Sequence, residues 1–328
     1  MRVLVTGATG FLGTHLLERL GETTAEVAAC VRSSDAARAL RARGVTPVLA
    51  ALDDAGSLRV ALGEPTDCVF HVAADTSPWR GHAQRQTRTN VDGTRALLAA
   101  ACARGVRRFV HVSSVSAYGQ QDEVLTEQSQ RLGASSWINY ERTKALAEEL
   151  VEEAGARGAI ETMILNPAHI LGPGDTRNWG RLILLVDQDK LPGAPPGSGA
   201  FADVREVARA LVTAWQLPGH GERYLLGGAQ ASFLELVQQI SRALGRKAPQ
   251  RAMPAGLLRT YARVLDLASM VSRREPQLTP QAVAFTCHHL RVDCAKAVRE
   301  LGYRVTPLDV LVADTVVWLR GEGRLQSR

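Results

Sequence analysis

Short apolar runs and amphipathic segments alternate along the first half of the chain. Runs rich in β-branched and aromatic residues predict strands at 2–6, 26–31, 46–52, 67–73, 107–113 and 160–166. Leucine and alanine at helical spacing predict helices over 10–21, 35–44 and 91–104, and another after residue 137. Strands that alternate with helices pair in parallel through right-handed crossovers. The pattern therefore predicts an α/β protein with a Rossmann-type, doubly wound parallel sheet.

The second half of the chain differs in composition and in its predicted secondary structure. Proline and glycine are dense at 166–180 and 190–201, which predicts loops there. A helix over 203–217 and a strand over 222–228 follow, and the remainder is predicted to be mainly helical. We therefore predict a dinucleotide-binding domain over 1–165, to which 203–228 returns. A smaller, mostly helical C-terminal substrate domain is predicted over 166–202 and 229–328. The helix at 255–271 is predicted to cover the cleft, and its apolar spacing favours a place in the core over a membrane contact.

Bulk properties narrow the function further. The 328 residues are 45% apolar and 22% charged, which is typical of a globular protein. The net charge of +6 is spread over single arginines without a polybasic run, so no nucleic-acid partner is predicted. No apolar stretch approaches the length of a membrane span, and membrane insertion is not predicted. The five scattered cysteines are typical of a reduced, cytoplasmic protein. The segment "CHHLRVDC" fits no usual spacing of metal ligands, so no metal site is predicted.

The stretch "TGATGFLG" carries the first chemical inference. It places Gly7, Gly10 and Gly13 between the first strand and the first helix. In the dinucleotide fingerprint these glycines allow a tight turn, a close approach of the pyrophosphate and helix–strand packing. We expect the backbone around Thr9, Phe11 and Leu12 to contact the coenzyme as well. A tight turn without a ligand is the simpler alternative.

The end of the second strand bears on which dinucleotide binds. NAD-binding proteins usually carry a carboxylate there to hold the ribose hydroxyls. This chain has "ACVRSS", so Arg32 occupies the region and can donate a charge-assisted hydrogen bond to a 2′-phosphate. NADP(H) is therefore favoured over NAD(H), although Arg32 could also be an ordinary surface arginine.

The chain resembles the extended short-chain dehydrogenases/reductases of the NAD-dependent epimerase/dehydratase superfamily. The resemblance rests, in the family's order, on "TGATGFLG", "HVAA", "NVDGT", "VSSVSAYG", "YERTK", "NPAHILGPG" and "FADVREVA". It is greatest to members like dihydroflavonol reductase, 3β-hydroxysteroid dehydrogenase and the hopanoid-associated sugar epimerases. The family's third strand usually ends in an aspartate that contacts adenine, and Ala51 stands at that place here.

The resemblance implies a catalytic set of Ser114, Tyr140 and Lys144, with Ser113 as the alternative serine. Tyr140 would be the general acid, and Lys144 would lower its pKa, which is physically reasonable for residues one helical turn apart. Both would also bind the coenzyme, with Lys144 holding the nicotinamide ribose. Further coenzyme contacts are implied at Leu52, Ala73, Ala74, Asn90, Pro167 and Ile170. The substrate would meet Ser114 and residues of two loops, namely Asp75, Thr76, Trp79, Asn166 and His169. Trp79 could equally anchor its loop, and His169 could be a loop histidine bonded to the backbone.

These features together predict an NADP(H)-dependent oxidoreductase of the carbonyl reductase or alcohol dehydrogenase type. It would transfer a hydride between nicotinamide and a ketone or aldehyde of a fairly apolar small molecule, because the substrate-domain loops carry few charges. An epimerase or dehydratase acting on sugars or nucleotide sugars, with transient use of bound NAD(P), is the first alternative. A non-catalytic NADP-sensing regulator is the second. The resemblance also suggests a homodimer.

Overall fold

The computed structural model describes residues 1–326, and its main feature is a parallel sheet covered by helices on both faces. The strands are β1 (Arg2–Thr6), β2 (Glu26–Val31), β3 (Thr46–Leu49), β4 (Cys68–His71), β5 (Arg108–Val112), β6 (Val124–Leu125), β7 (Glu161–Pro167), β8 (His169–Leu171), β9 (Ser198–Asp203), β10 (Glu222–Leu226), β11 (Ala229–Ser232) and β12 (Arg291–Val292). The helices are α1 (Phe11–Gly21), α2 (Ser34–Arg41), α3 (Ala55–Ala61), α4 (Ala83–Thr87), α5 (Gly93–Ala103), α6 (Asn139–Ala156), α7 (Gly180–Asp187), α8 (Val204–Gln216), α9 (Phe233–Leu244), α10 (Ala255–Ser272), α11 (Pro280–Cys287), α12 (Ala295–Leu301) and α13 (Leu308–Gly321).

The main sheet has seven strands in the order β10-β7-β5-β4-β1-β2-β3, all parallel. The strand order reverses between β1 and β4, which opens a crevice at the carboxyl ends of these strands. The predicted Rossmann-type fold is confirmed. The predicted strands at 46–52 and 67–73 are too long, since the chain leaves the sheet after Leu49 and His71.

Helix packing on both faces explains the near-continuous apolar strands. All five residues of β5 are buried, although Arg108 and His111 are among them. On one face α1 packs against α8, and it turns Leu12, Leu16, Leu17 and Leu20 into the core. On the other face α3, α5 and α6 cover the sheet.

A second hydrophobic core lies in the C-terminal part of the chain. It is formed mainly by α7, α9 and α13, packed against a three-stranded sheet in the order β11-β9-β8. β8 and β9 lie in segments that the sequence predicts to be loops, so this prediction is wrong for those residues. The prolines and glycines that motivated it mark the ends of these short strands rather than an irregular path.

Two helices of the C-terminal segment depart from the predicted division. Ala297, Leu301 and Tyr303, in and after α12, pack in the core of the dinucleotide-binding part. Most of α10 faces solvent, against its predicted place in the core. None of the helices in residues 1–326 combines the length and the apolar character required to cross a bilayer.

Candidate active site

The turn between β1 and α1 requires glycine at two places. Gly7 has a φ of +73°, and a Cβ there would lie 2.7 Å from the backbone nitrogen of Ala73. A Cβ on Gly13 would lie 2.1 Å from the carbonyl oxygen of Gly7, so α1 packs directly on the turn. Gly10 is exposed, and in the described part of the chain a Cβ there would approach only the Gly7 oxygen, at 3.1 Å. Gly7 and Gly13 are therefore required for close backbone packing. The absence of a side chain at Gly10 leaves space beside the turn.

The N-terminus of α1 has the properties of an anion site. Its N-cap residue is Gly10, which has no side chain to accept hydrogen bonds from the first-turn N–H groups. The first turn also carries no acidic residue. Thr9 is exposed, Phe11 is half-buried and Leu12 is buried. First-turn N–H groups and the positive end of the helix dipole favour phosphate. This cradle therefore fits the pyrophosphate of NAD(P).

The hydroxyls of Ser114 and Tyr140 lie together at the carboxyl edge of the sheet. Ser114 follows β5 and caps a short 3₁₀ turn, its Oγ accepting a 3.1 Å hydrogen bond from the Ser116 N–H. Tyr140 lies in the first turn of α6. Burial raises the pKa of Tyr140 above its ordinary value, and the neighbouring Ser114 hydroxyl opposes that rise. Two converging hydroxyls of this kind can bind a carbonyl oxygen and move a proton to it.

Lys144 lies one helical turn beyond Tyr140, and its ammonium group is buried. Its Nζ donates a 2.7 Å hydrogen bond to the carbonyl oxygen of Val112, at the end of β5. Burial lowers the pKa of Lys144 to about 8, and the Glu148 carboxylate opposes that fall. We expected Lys144 to lower the pKa of Tyr140. In this structure burial dominates instead and raises it, while the ammonium binds the main chain of β5.

Ser113 and Ser114 have different hydrogen-bond partners, which favours Ser114 as the candidate. The Ser113 hydroxyl donates a 2.6 Å hydrogen bond to Glu148, whose side chain is fully buried. Ser113 is therefore held in the interior, and Ser114 is left to face the cleft. Asn166 donates to the Ser114 carbonyl oxygen at 3.0 Å and to Glu148 at 2.8 Å. This corrects the expectation that Asn166 contacts substrate, because its side chain is fully buried and supports the strand end.

Asn90 fastens the loop that follows β4. Its Oδ1 accepts a 2.7 Å hydrogen bond from the Asp75 N–H, and its Nδ2 donates to the Asp75 carbonyl oxygen at 2.9 Å. The same Nδ2 reaches the Thr143 hydroxyl on α6 at 3.1 Å. Asn90 thus orders the loop and α6 rather than presenting a free group to a coenzyme. The Asp75 carboxylate is also occupied, in a 2.7 Å ion pair with Arg85.

The remaining residues expected at the coenzyme lie along the crevice in the order that the strands dictate. Arg32 is exposed just after β2, and Leu52 is half-buried beside Gly93 beyond the end of β3. Ala73 donates its N–H to the Thr6 hydroxyl at 3.3 Å, and Ala74 is exposed. Pro167 is buried at the end of β7, and Ile170 is half-buried in β8.

Trp79 packs against other residues of its own loop, the one that follows β4. Its ring meets His82 edge-on with centroids 4.6 Å apart, and it fills the space that a side chain at Gly81 would need. Thr76 is exposed in the same loop. Trp79 therefore serves at least as a loop anchor, and Thr76 is free to meet a ligand.

His169 is half-buried and packs among aromatic side chains of the C-terminal part. Its ring packs against Trp179, Phe201 and Phe233, with centroids 4.3 to 6.0 Å away. A Cβ on Gly199 would lie 2.2 Å from it. Burial lowers the pKa of His169 to about 3, so the ring is neutral. Its Nε2 has no hydrogen-bond partner among the described residues, and the expected contact with substrate stays a prediction.

Two residues of the site escaped sequence analysis. Phe285, on α11, meets the ring of Tyr140 edge-on at 6.4 Å between centroids. Thr279, the N-cap of α11, donates from its hydroxyl to the Pro78 carbonyl oxygen at 2.9 Å. Helix α11 is thereby joined to the loop after β4 and places an apolar side chain against Tyr140. In the sequence, Phe285 and Thr279 could be recognised only as parts of a predicted helical segment.

The histidines of "CHHLRVDC" make other contacts. His288 Nε2 lies 2.9 Å from the Gln121 carbonyl oxygen, and His289 Nδ1 lies 3.2 Å from the Ser198 hydroxyl. Within residues 1–326 no three side chains of histidine, cysteine, aspartate or glutamate gather in a way that could hold a metal ion.

The chain has the strand order, the glycine turn and the helix N-terminus that are typical of Rossmann-type, dinucleotide-binding proteins. The chain belongs to the NAD dependent epimerase/dehydratase family, whose model matches residues 3–227. This confirms the expected membership of the extended short-chain dehydrogenase/reductase superfamily. It is an enzyme family whose members work with NAD(P).

Relatives are similar along the whole chain. Sterol demethylase protein B of Methylococcus capsulatus is 32% identical, over 99% of this chain and 100% of the relative. A 4-hydroxy-2-methyl-3-oxo-4-farnesyl-3,4-dihydroquinoline-1-oxide ketoreductase of Stigmatella aurantiaca is 31% identical over 100% of both chains. The crystal structure of gox2253 superposes with a TM-score of 0.85 at 28% identity, covering 99% of each chain. The family thus includes named oxidoreductases that are similar to this chain from end to end.

Proposed function

We propose that the protein is an NADP(H)-dependent oxidoreductase that interconverts a ketone or aldehyde and the corresponding alcohol of a fairly apolar small molecule. The observation that carries the proposal is the pair of hydroxyls, Ser114 and Tyr140, at the carboxyl edge of the sheet. They lie at the edge where open α/β sheets bind their ligands. Lys144 stands one helical turn away on the same helix.

Each residue has a specific part in carbonyl reduction. Bound nicotinamide supplies the hydride to the carbonyl carbon. Ser114 donates a hydrogen bond to the carbonyl oxygen, and Tyr140 transfers its phenolic proton to that oxygen as negative charge develops there. The resulting phenolate regains a proton from solvent. The Lys144 ammonium is held by the Val112 carbonyl oxygen, and we expect its remaining N–H groups to hold the nicotinamide ribose. In alcohol oxidation the same groups act in reverse.

The preference for NADP(H) rests on Arg32. The residue lies just after β2, is exposed, and stands where NAD-binding proteins place a carboxylate. Its guanidinium can form a fork of hydrogen bonds with a 2′-phosphate. Ser33, which caps α2, and Ser34 add hydroxyl and N–H groups at the same point.

The preference for an apolar substrate rests on the walls of the cleft and on the relatives. Phe285 faces Tyr140, and the Asp75 carboxylate is engaged by Arg85. The relatives are named for a sterol and for a farnesyl-bearing ketone, both largely apolar. We also expect a cytoplasmic enzyme, on the basis of its unpaired cysteines, and a homodimer, on the basis of the family.

A screen of NADPH oxidation tests the proposal. Aldehydes, steroid-like ketones, β-keto compounds and nucleotide sugars are each added to the enzyme with NADPH, and product is measured beside coenzyme. We expect an apolar carbonyl to be reduced with one NADPH consumed per alcohol formed. Conversion of a nucleotide sugar without net NADPH consumption would identify an epimerase instead. The absence of turnover, with tight NADPH binding and a cellular role that survives Tyr140→Phe, would identify a sensor.

A further inference from the structure

Helix α10 has an unusual exposed face. Only Leu258, Ala262 and Ser269 of its 18 residues are buried. The exposed side chains include six large apolar ones, which are Leu257, Tyr261, Val264, Leu267, Met270 and Val271, with exposures between 49% and 88%. A surface helix normally turns polar residues outward, and α10 does the reverse over much of its length.

Helical geometry makes these residues a stripe rather than a scatter. Leu257, Val264 and Val271 recur every seven residues, so they lie on one side of the helix. The buried Leu258 and Ala262 mark the opposite side, which packs against α11. The apolar stripe therefore points away from the protein and runs for about 20 Å along the helix at 1.5 Å per residue.

Positive charge borders the stripe. Arg259 and Arg263 flank it along one edge, and Arg273 and Arg274 follow the C-terminus of the helix, next to the exposed Glu275. The acidic residue within α10 itself, Asp266, lies on the inner side, in a 3.0 Å ion pair with Arg80. An exposed apolar face edged by arginines, in a helix too short and polar to span a bilayer, is typical of helices that lie in a membrane interface.

We propose that the stripe of α10 docks on an anionic lipid surface, with its apolar side chains in the headgroup region and the arginines on acidic headgroups. Charge complementarity favours lipid over a second copy of the chain. A symmetric pairing of this face would bring the arginines of both copies around one apolar patch, with no carboxylate on the stripe to offset them. Anionic lipids instead attract each arginine.

The position of α10 gives the docking a consequence for the site. Asp266 joins the helix to the loop after β4 through Arg80, and α11 beneath it carries Phe285, which meets Tyr140. A docked α10 would hold the cleft beside the bilayer, where apolar molecules are dissolved. The docking itself does not depend on the proposed reaction, and its test needs no turnover.

Vesicle flotation tests the proposal. Wild-type protein is mixed with vesicles of phosphatidylcholine, with or without phosphatidylglycerol, and the floating fraction is measured at low and high salt. We expect binding to the phosphatidylglycerol vesicles that weakens with salt, because exposed charges are screened. The double variant Val264→Glu/Leu267→Glu should bind at least about tenfold less, since each lost apolar contact alone is worth that much.

Matched variants make the result specific. Val317→Glu changes a residue of α13 that is 66% exposed and should float like wild type. Arg259→Gln/Arg263→Gln should lose the salt-dependent part of binding. NADPH affinity and the thermal melting of every variant show that the fold is intact.

Equal flotation of Val264→Glu/Leu267→Glu and wild type, or no flotation of wild type, would overturn the proposal. So would a wild-type dimer in solution that this double variant converts to monomer without any vesicle binding.

Discussion

The Glu148 carboxylate accepts a 2.6 Å hydrogen bond from the Ser113 hydroxyl in the interior beneath the catalytic edge. Glu148 also accepts from Asn166 at 2.8 Å and pairs with Arg223 at 2.7 Å. It lies one helical turn beyond Lys144, whose ammonium it stabilises. One buried carboxylate thus joins the ends of β5 and β7 to the helix that carries the proposed acid.

Loss of this carboxylate should destabilise the protein. Glu148→Gln leaves Arg223 with the part-exposed Glu152 as its remaining carboxylate partner among the described residues, and the lost charge-assisted interaction should cost about 1.5–3 kcal/mol. Unfolding in denaturant measures the change. Glu149→Gln, at the exposed neighbouring position, is the control and should change stability by less than about 0.5 kcal/mol. A Glu148→Gln protein as stable as this control would show that the network does not hold the strand ends.

Tyr140→Phe should abolish the chemistry and spare the binding. The substitution removes the proton donor but keeps the ring that meets Phe285, so we expect kcat to fall about 10²- to 10⁴-fold with little change in NADPH affinity. Steady-state kinetics and coenzyme titration separate the two effects. A variant that retains wild-type kcat would remove Tyr140 from the mechanism.

Arg32→Ala should weaken NADPH binding and leave NADH binding nearly unchanged. Only NADPH carries the 2′-phosphate, and a lost charge-assisted hydrogen bond of about 1.5–3 kcal/mol corresponds to at least about tenfold in affinity. Dissociation constants for both coenzymes measure the selectivity. Arg38→Ala, at an exposed arginine that pairs with Asp35 on α2, should alter neither. Equal losses for both coenzymes would contradict the role given to Arg32.

Gly10→Ala should reduce coenzyme affinity without unfolding the turn. The new methyl would have only the Gly7 oxygen near it among the described residues, at 3.1 Å, but it would stand where the pyrophosphate is proposed to approach. Gly13→Ala should instead destabilise the fold, because its Cβ would lie 2.1 Å from the same oxygen. Gly21→Ala, with nothing within 4 Å, is the control for a methyl added to α1. Unchanged NADPH affinity in Gly10→Ala would contradict the proposed cradle.

The parts of the site that follow from local sequence could be predicted. A strand, a glycine turn and a helix are adjacent in the chain, so Gly7 and Gly13 could be assigned their packing roles from spacing alone. Tyr140 and Lys144 share one helix, whose period fixes their common face. The order of strands and helices was also sufficient to predict the parallel sheet.

The parts that depend on distant segments could not be predicted. Phe285 reaches Tyr140 only because α11 folds back over the cleft, and no local pattern encodes that contact. The interior role of Asn166 depends on Glu148, which reads in the sequence as one glutamate among several on an amphipathic helix. β8 and β9 are short and bounded by glycine and proline, so their pairing is set by tertiary contacts rather than by propensity.

Glu141, next to Tyr140, should make stability depend on pH. Burial raises the pKa of Glu141 to about 7, and a 2.5 Å hydrogen bond from the Ser136 hydroxyl opposes the rise. The folded chain therefore keeps the proton up to about pH 7, whereas the unfolded chain loses it near pH 4.5. The free energy of unfolding should fall by about 3 kcal/mol between these values as pH increases, because the folded state binds more protons there.

Glu141→Gln keeps a neutral amide in place and should remove this slope, while Glu153→Gln, exposed on the same helix, should retain it. Urea unfolding across this pH range measures both, and parallel curves for wild type and Glu141→Gln would show that the buried carboxyl is not protonated in the folded chain.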